Sequence, residues 1–216
     1  MNRTIRNQNL LKATLCSLAV AFMAAQAGAT GDTFKQSAEL GKRTGKTSAD
    51  VDRYVTQLDK TEEAIASISQ APEKDLRKRL ESFSREINKL EEAQKHVTSD
   101  IDEMKSTGTE YFSSWDTSIA QMSDANLRQA STERRAKVMK DHNDLTATLS
   151  DIGLQLQPFM SNLRDLRAFL EADLSSTNID RAKDMIQKSQ SDEQALKDKI
   201  VAVQSTLRQF LEETPR

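Results

Sequence analysis

The stretch LRKRLESFSREINKLEEAQKHVTSDIDEM, residues 76–104, decides the fold. Its apolar positions follow one another at steps of three and four residues, which is the spacing of one face of a coiled-coil helix. The positions of this seam are Leu76, Leu80, Phe83, Ile87, Leu90, Gln94, Val97, Ile101 and Met104. Because the register continues through Tyr111 and Trp115, the sequence predicts one long helix over residues 73–122, although Gly108 leaves its continuity open.

Three more helices are predicted on either side of this one, over residues 48–70, 124–173 and 176–213. Pro72 separates the first from the second, and Asp124 supplies a cap-type side chain for the third. The sequence therefore predicts an all-α fold, an elongated antiparallel helical bundle or coiled coil with two long central helices.

The sequence alone allows a check of how the two central helices pair. When two helices fold back about a turn, facing residues lie equally far from that turn. Met104 and His142 are equidistant from residue 123, and so are Leu90 and Leu156. Consecutive helices are therefore expected to be antiparallel neighbours. The first predicted helix is about half as long as the central ones, so we expect the bundle to thin to a two-helix tip around residue 123.

The first residues have the layout of a secretory signal peptide, predicted over residues 1–29. A basic start is followed by an apolar run over residues 13–25 and by small residues that allow cleavage after Ala27 or Ala29. The run is shorter than the ~20 residues of a membrane-spanning helix. We therefore expect export to the periplasm, with secretion as the alternative, and no membrane span after cleavage. A polar lead-in is predicted over residues 30–47, before a single helical domain over residues 48–213.

Composition narrows the classes of function. The formal charge is −2, and it becomes −5 once the three basic residues of the leader are removed, which does not favour nucleic-acid binding. The only cysteine, Cys16, lies in the leader, so disulfides and thiolate sites are not expected. The sequence contains no nucleophile, haem or di-iron motif. We expect no catalytic residue, no cofactor and no metal.

Polar residues within the seams are the places where chemistry could lie. Gln94 is interpreted as a register-fixing position that faces Ile152. His142 lies too far along the axis from His96, the other histidine, for the two to share a metal. Glu193 projects onto the layer of Tyr54, whose hydroxyl is expected to satisfy the carboxylate; a lone buried acid with a raised pKa is the alternative.

The tip carries an aromatic cluster and a basic stretch, which together form the candidate partner-binding site. Its residues are Tyr111, Phe112, Trp115, Arg128, Arg134 and Arg135. In one interpretation the rings pack under arginine side chains and close the hairpin. In the other, they contact an anionic envelope component or a partner protein.

Three segments of the sequence resemble a known family. They are Gly108-x-x-Tyr111-Phe112-x-x-Trp115, the run over residues 134–139, and Pro158-Phe159-Met160-Ser161-Asn162-Leu163 with the residues that follow it. Together they resemble a bacterial family of exported coiled-coil proteins that is classed as a domain of unknown function. The resemblance covers roughly residues 40 to 212 and implies no activity and no catalytic residue. Some members are lipid-anchored through a cysteine after the leader, which this chain lacks.

The function expected from the sequence is that of an exported structural or partner-binding coiled-coil scaffold of the cell envelope, without catalysis. The alternative is a binder of an anionic envelope ligand or lipid headgroup through the tip. The partner is expected to be an envelope protein or an anionic envelope component, not a nucleic acid. Apolar seams also allow a homo-oligomer.

Overall fold

The computed structural model describes residues 30–213, and the predicted signal peptide lies outside them. Helix α1 spans Thr30–Ser69, α2 Leu76–Ala120, α3 Ala125–Ala172 and α4 Ser176–Glu213, with a 3-10 turn at Glu73–Asp75 before α2. The described part of the chain contains no strand. The predicted all-α bundle with two long central helices is confirmed, and α2 runs through Gly108 without a break.

Local signals in the sequence account for the ends of the helices. Pro72 follows the end of α1 and leads into the 3-10 turn. The Asp124 carboxylate accepts hydrogen bonds from the backbone N–H groups of Asn126 and Leu127 at 2.8 and 2.9 Å, which caps α3. These two signals place the turns at the positions the sequence predicts.

The predicted register of α2 against α3 holds along the rod. The Trp115 Nε1–H group donates to the Ser131 hydroxyl at 2.9 Å, and the two residues are equidistant from residue 123. His142 Nε2 lies 3.2 Å from the Met104 carbonyl oxygen, and this second predicted seam pair lies about three helical turns further from the tip. The seam side chains between them are buried in one continuous core.

Each helix packs against two neighbours, in the cyclic order α1, α2, α3, α4. Helix α4 closes the ring because it packs back against α1, where Lys197 lies 2.6 Å from Asp59. Apolar seams from all four helices therefore meet on one axis, where Leu58, Phe83, Leu163 and Leu207 are fully buried. None of the helices in the described residues is long and apolar enough to cross a membrane.

Helix α1 begins earlier than the apolar pattern predicts. Residues 30–47, expected to be a polar lead-in, are helical and belong to α1. The three-and-four spacing continues there, but it is carried mostly by small polar residues: Ser37, Leu40, Thr44 and Thr47 are all buried. A buried threonine is tolerated because its hydroxyl bonds back to the helix, as Thr44 Oγ1 does to the Leu40 carbonyl at 2.9 Å.

The longer α1 also corrects the expected shape of the tip. The Thr33 hydroxyl lies 2.8 Å from the Ser114 hydroxyl and 2.7 Å from that of Ser118, so α1 reaches almost to the end of α2. Helix α4 stops slightly earlier, where Glu213 pairs with Lys137 at 2.7 Å. The tip is thus built from three helices, and the expected taper to two is wrong.

Candidate functional site

The aromatic residues of the tip lie mostly inside the bundle. Tyr111 and Phe112 are buried and Trp115 is half-buried. The Tyr111 ring centroid lies 5.1 Å from that of Phe112 and 5.4 Å from that of Trp115. Arg135 places its guanidinium carbon 5.6 Å from the Phe112 ring centroid, within the range of a cation–π contact. This is the arrangement expected if the rings close the hairpin.

Most of the basic side chains next to these rings already have acidic partners. Arg135 lies 2.6 Å from Asp116, and Lys137 lies 2.9 Å from Asp141 as well as close to Glu213. Hydrogen bonds to Glu213 and then to Asp141 raise the pKa of Lys137. An anionic ligand would have to compete with these carboxylates for the same cations.

Two arginines of the tip remain exposed and form no ion pair within the described residues. Arg128 donates to the Ser123 carbonyl oxygen at 3.3 Å, and Arg134 donates to the Glu213 carbonyl oxygen at 2.8 Å. Of the candidate residues, these are the two that offer a cationic group to solvent. Of the predicted site, Arg135 therefore packs with the aromatic rings, while Arg128 and Arg134 lie at the surface.

His142 occupies a closed position in the core. It is only 3% exposed, and burial lowers the pKa of its imidazole. The neutral ring donates from Nε2 to the Met104 carbonyl, and the Phe112 ring packs edge-on against it at 5.5 Å between centroids. His96 is exposed on α2 and does not approach it. The arrangement holds two helices together and leaves no open coordination position on Nε2.

Gln94 does not lie in the closed core. Its side chain is half-buried on α2, opposite α3, and it lines a small cavity together with Thr98 and Gly153. The layer expected to be fixed by a polar seam residue is therefore also the layer in which the core is incompletely filled.

Glu193 has a different partner from the one expected. The Tyr54 hydroxyl is buried and forms no hydrogen bond within the described residues, while Lys197 Nζ lies 2.9 Å from Glu193 Oε1. Burial raises the pKa of Glu193 to about 7, and the Lys197 ammonium opposes this shift. The sequence carried a signal for this pair, because Glu193 precedes Lys197 by four residues on one helix.

Lys197 stands at the centre of a cluster that sequence analysis missed. The carboxylate oxygens of Asp59, Glu62 and Glu193 lie within 4.8 Å of one another, close enough to hold a metal ion. Lys197 Nζ lies 2.6 Å from Asp59 and 3.1 Å from Glu62, so its ammonium supplies the positive charge there. Burial alone would lower the pKa of Lys197, but its bonds to the three carboxylates raise it overall.

A second acidic pair lies between α1 and α2. Asp50 and Asp100 are 6% and 3% exposed, and Lys46 forms an ion pair with Asp100. Burial and then a hydrogen bond with Asp50 raise the pKa of Asp100, while the same bond lowers the pKa of Asp50. The ammonium of Lys46 beside Asp100 and the guanidinium of Arg53 beside Asp50 offset the cost of burying the two carboxyl groups. Lys46 lies in the segment expected to be a lead-in, whereas Asp50 lies in the first predicted helix.

Most of the chain that forms the bundle matches one known protein family. Residues 40–213 match the family described as "Protein of unknown function (DUF2959)", from inside α1 to the end of α4. The chain belongs to the DUF2959 family. The resemblance to a domain-of-unknown-function family is thereby confirmed. Because the DUF2959 match begins at Leu40, it includes part of the segment expected to be a lead-in.

No curated protein and no solved structure matches the chain in the comparisons made with them. The DUF2959 description assigns no activity. Roles for Lys197, His142 and the tip arginines in this DUF2959 member therefore rest on geometry.

Proposed function

We propose that this protein acts by binding, as a structural or partner-binding scaffold of the cell envelope, and that it catalyses no reaction. The observation that carries the proposal is the length of the bundle. Helix α3 has 48 residues, which corresponds to about 70 Å at 1.5 Å per residue. A rod of this length presents a large lateral surface for one or several partners.

The side of the rod offers anchor points for such contacts. Leu154 is 71% exposed on α3 and Val201 is 56% exposed on α4, in the middle of the bundle. Single exposed apolar residues are common on proteins, but anchors of this kind are also what partner interfaces bury. The proposed envelope location rests on the signal-peptide pattern of residues 1–29.

Site-specific photo-crosslinking in intact cells tests the scaffold role. A photoreactive amino acid is placed at Leu154, Val201, Phe34 or Leu127, one position per variant. A scaffold is expected to give the same crosslinked envelope protein from neighbouring positions on one face and none from the opposite face. Monomer alone from all four positions, with the protein folded and present at its normal level, would contradict the proposal.

The alternative function, binding of an anionic envelope ligand or lipid headgroup, is favoured by one observation. Arg128 and Arg134 are exposed at the tip, and each donates a hydrogen bond to a backbone carbonyl oxygen and forms no ion pair within the described residues. Flotation with anionic vesicles at low and high salt tests it, because an electrostatic headgroup contact weakens as salt screens it. Replacing both arginines by alanine should then abolish flotation.

A further inference from the structure

The outward side of α3 carries few charges in the middle of the bundle. Residues 145–163 contain a single charged residue, Asp151, although 30% of the whole chain is charged. Burial explains the apolar seam of this stretch, but the exposed positions are mostly uncharged as well: Ala147, Thr148, Leu154, Gln157, Pro158 and Ser161. A solvated helix face usually carries charges of both signs, whereas the core of a protein interface is depleted of them. This side of α3 therefore has the composition of an interface.

The outward residues of this stretch also follow a regular line. Steps of three, four, three and four residues connect Ala147, Ser150, Leu154, Gln157 and Ser161, which we call the outer face of α3. Leu154 is the one large apolar side chain of this face and is 71% exposed. The small residues before and after it allow a second helix to approach closely.

The helices of the chain itself leave the outer face uncovered. Helix α3 turns its buried seam towards the axis of the bundle and packs there against α2 and α4. The apolar seams of all four helices are filled by one another inside this core. A second copy of the chain would therefore have to dock from outside, on a face such as this one.

Charges of opposite sign lie beyond the two ends of the outer face. Lys140 precedes Leu154 by 14 residues, and Asp165 follows it by 11. The Lys140 side chain is 74% exposed and pairs with Asp144 on its own helix. Asp165 is exposed and forms no ion pair within the described residues. Because an exposed pair of this kind contributes little, Lys140 can exchange Asp144 for another carboxylate.

This distribution makes the outer face complementary to itself. When two copies of α3 lie antiparallel about Leu154, Lys140 of one copy comes opposite Ala168 of the other, about one helical turn from Asp165. The ammonium and the carboxylate can then pair, and twofold symmetry supplies the same pair a second time. In a parallel arrangement each of these charges would meet its own kind. The pattern of charge therefore favours a second copy over an unrelated partner.

We propose that the outer face of α3 is a self-association surface, on which a second copy of this chain packs its own α3 antiparallel. The two Leu154 side chains are then in contact at the twofold axis, with Lys140 and Asp165 paired on either side. The proposal rests on the scaffold role, since it names one partner for the lateral surface of the rod.

The size of the face sets the strength of the dimer. From Lys140 to Asp165 it is about 38 Å long at 1.5 Å per residue, and a helix is about 10 Å wide. Such a strip lies near the lower limit of specific interfaces. We therefore expect a reversible dimer with a micromolar dissociation constant.

Sedimentation velocity of the purified mature chain tests the proposal. Concentrations from about 1 µM to about 1 mM cover the dissociation constants expected for so small an interface. The sedimentation coefficient should rise with concentration towards that of a dimer. A chain that stays monomeric over the whole range overturns the proposal.

Leu154→Glu locates the contact. It brings two carboxylates together at the twofold axis, where like charges repel, and should weaken the dimer by about tenfold or more. Val201→Glu is the matched control, because it makes a similar change on α4 at a residue that is 56% exposed, and it should leave association unchanged. Since both positions are exposed, both variants should melt close to the wild-type temperature. Equal dimerisation of the two variants would place the contact on another face and overturn the proposal.

Exchanging the charges tests the antiparallel orientation. Lys140→Glu should weaken the dimer, because the new carboxylate meets Asp165 of the second copy. Adding Asp165→Lys should restore most of the affinity, because the pair is then reversed. The single and the double variant both lack the pair of Lys140 with Asp144, so the comparison between them does not depend on it. An affinity that does not recover in the double variant excludes the antiparallel pairing.

Photo-crosslinking in cells separates this proposal from the scaffold role. A photoreactive amino acid at Leu154 should give a product with twice the mass of the chain, whereas one at Val201 should not. If Leu154 captures a different envelope protein and the purified chain is monomeric, self-association is wrong and the scaffold role stands. If the chain dimerises through Leu154 but no position captures another protein, the dimer stands and a role in binding other envelope proteins is wrong.

Discussion

The His142 imidazole lies against the backbone of α2 at Gly108, so closely that a Cβ atom there would stand 2.4 Å from its Cε1 and Nε2 atoms. Only glycine leaves room for the ring at this distance. The ring in turn bonds to the Met104 carbonyl, so the pair fixes α2 against α3 at one defined height.

We expect Gly108→Ala to destabilise the protein. The added methyl group overlaps the imidazole, and overpacking of this kind costs about 1–3 kcal/mol, of which up to ~1 kcal/mol is offset by the better helix propensity of alanine. Denaturant unfolding followed by circular dichroism measures the difference. Gly45→Ala is the matched control, because a Cβ there meets no atom within 4 Å, and it should raise the free energy of unfolding slightly.

Stability should depend on pH through Glu193. Its pKa in the folded protein, about 7, lies above the ordinary value of 4.5 for a glutamate, so between these values the unfolded chain releases the proton first. The free energy of unfolding contributed by this group therefore falls as pH rises from about 4.5 to 7, by about 1–3 kcal/mol, and then levels off. Glu193→Gln should flatten that part of the profile, whereas Glu81→Gln, on the exposed surface, should not. An unchanged profile in Glu193→Gln would contradict the buried position of the carboxylate.

Removing the ammonium from the same cluster should be costly. Lys197→Met leaves Glu193, Asp59 and Glu62 without their shared cation, and breaking a buried ion pair in this way costs about 3–5 kcal/mol. The loss should be larger at pH 8 than at pH 5, because Glu193 is protonated at the lower pH. Combining Lys197→Met with Glu193→Gln should recover part of the loss. Additive effects in this double-mutant cycle would mean that the two groups do not interact.

The early start of α1 predicts that Leu40 belongs to the core. Leu40→Ala should lower the free energy of unfolding by about 2–4 kcal/mol, since the side chain is fully buried. Phe34→Ala lies in the same segment but at a position 60% exposed, so its effect should stay within about 0.5 kcal/mol. Similar small effects of both substitutions are the outcome expected of a lead-in without structure.

Substitutions at the tip should affect stability differently in the core and at the surface. Tyr111→Ala removes a ring that is 2% exposed and should destabilise the protein by about 3–5 kcal/mol. The double variant Arg128→Ala, Arg134→Ala should change stability by about 0.5 kcal/mol or less, since both side chains are exposed. Thermal unfolding distinguishes the two. A ligand-binding test of the tip is therefore informative only with the arginine pair.

The sequence predicted the central helices well because their seams are carried by leucine, isoleucine and phenylalanine at regular steps. The pairing of Trp115 with Ser131 could likewise be predicted from the position of the turn. Prediction from the sequence failed for residues 30–47, because the buried positions there are mostly threonine and serine, which an apolar pattern does not detect. Hydroxyls that bond back to their own helix can be buried, and this depends on packing against α2.

The polar clusters were harder to predict. Glu193 is close enough to Tyr54 to act on the pKa of the phenol, but the side chain that pairs with it comes from Lys197 on its own helix. The seam register gives the height of each residue along the bundle axis. It does not identify which long side chain turns towards a buried carboxylate. The Asp50–Asp100 pair escaped notice because each residue lies one position beside a seam residue, Val51 or Ile101.

The contact of Thr33 with Ser114 and that of Glu213 with Lys137 bring the start of α1 and the end of α4 close to the same turn of the bundle. The two chain ends of the described bundle emerge at one pole, and the loops at Pro72 and Ser175 form the other. Fluorescent labels joined to the two ends should therefore transfer energy efficiently to each other and poorly to a label near Pro72. An immobilising tag at either end would leave the same pole, the one with the two loops, pointing away from the support.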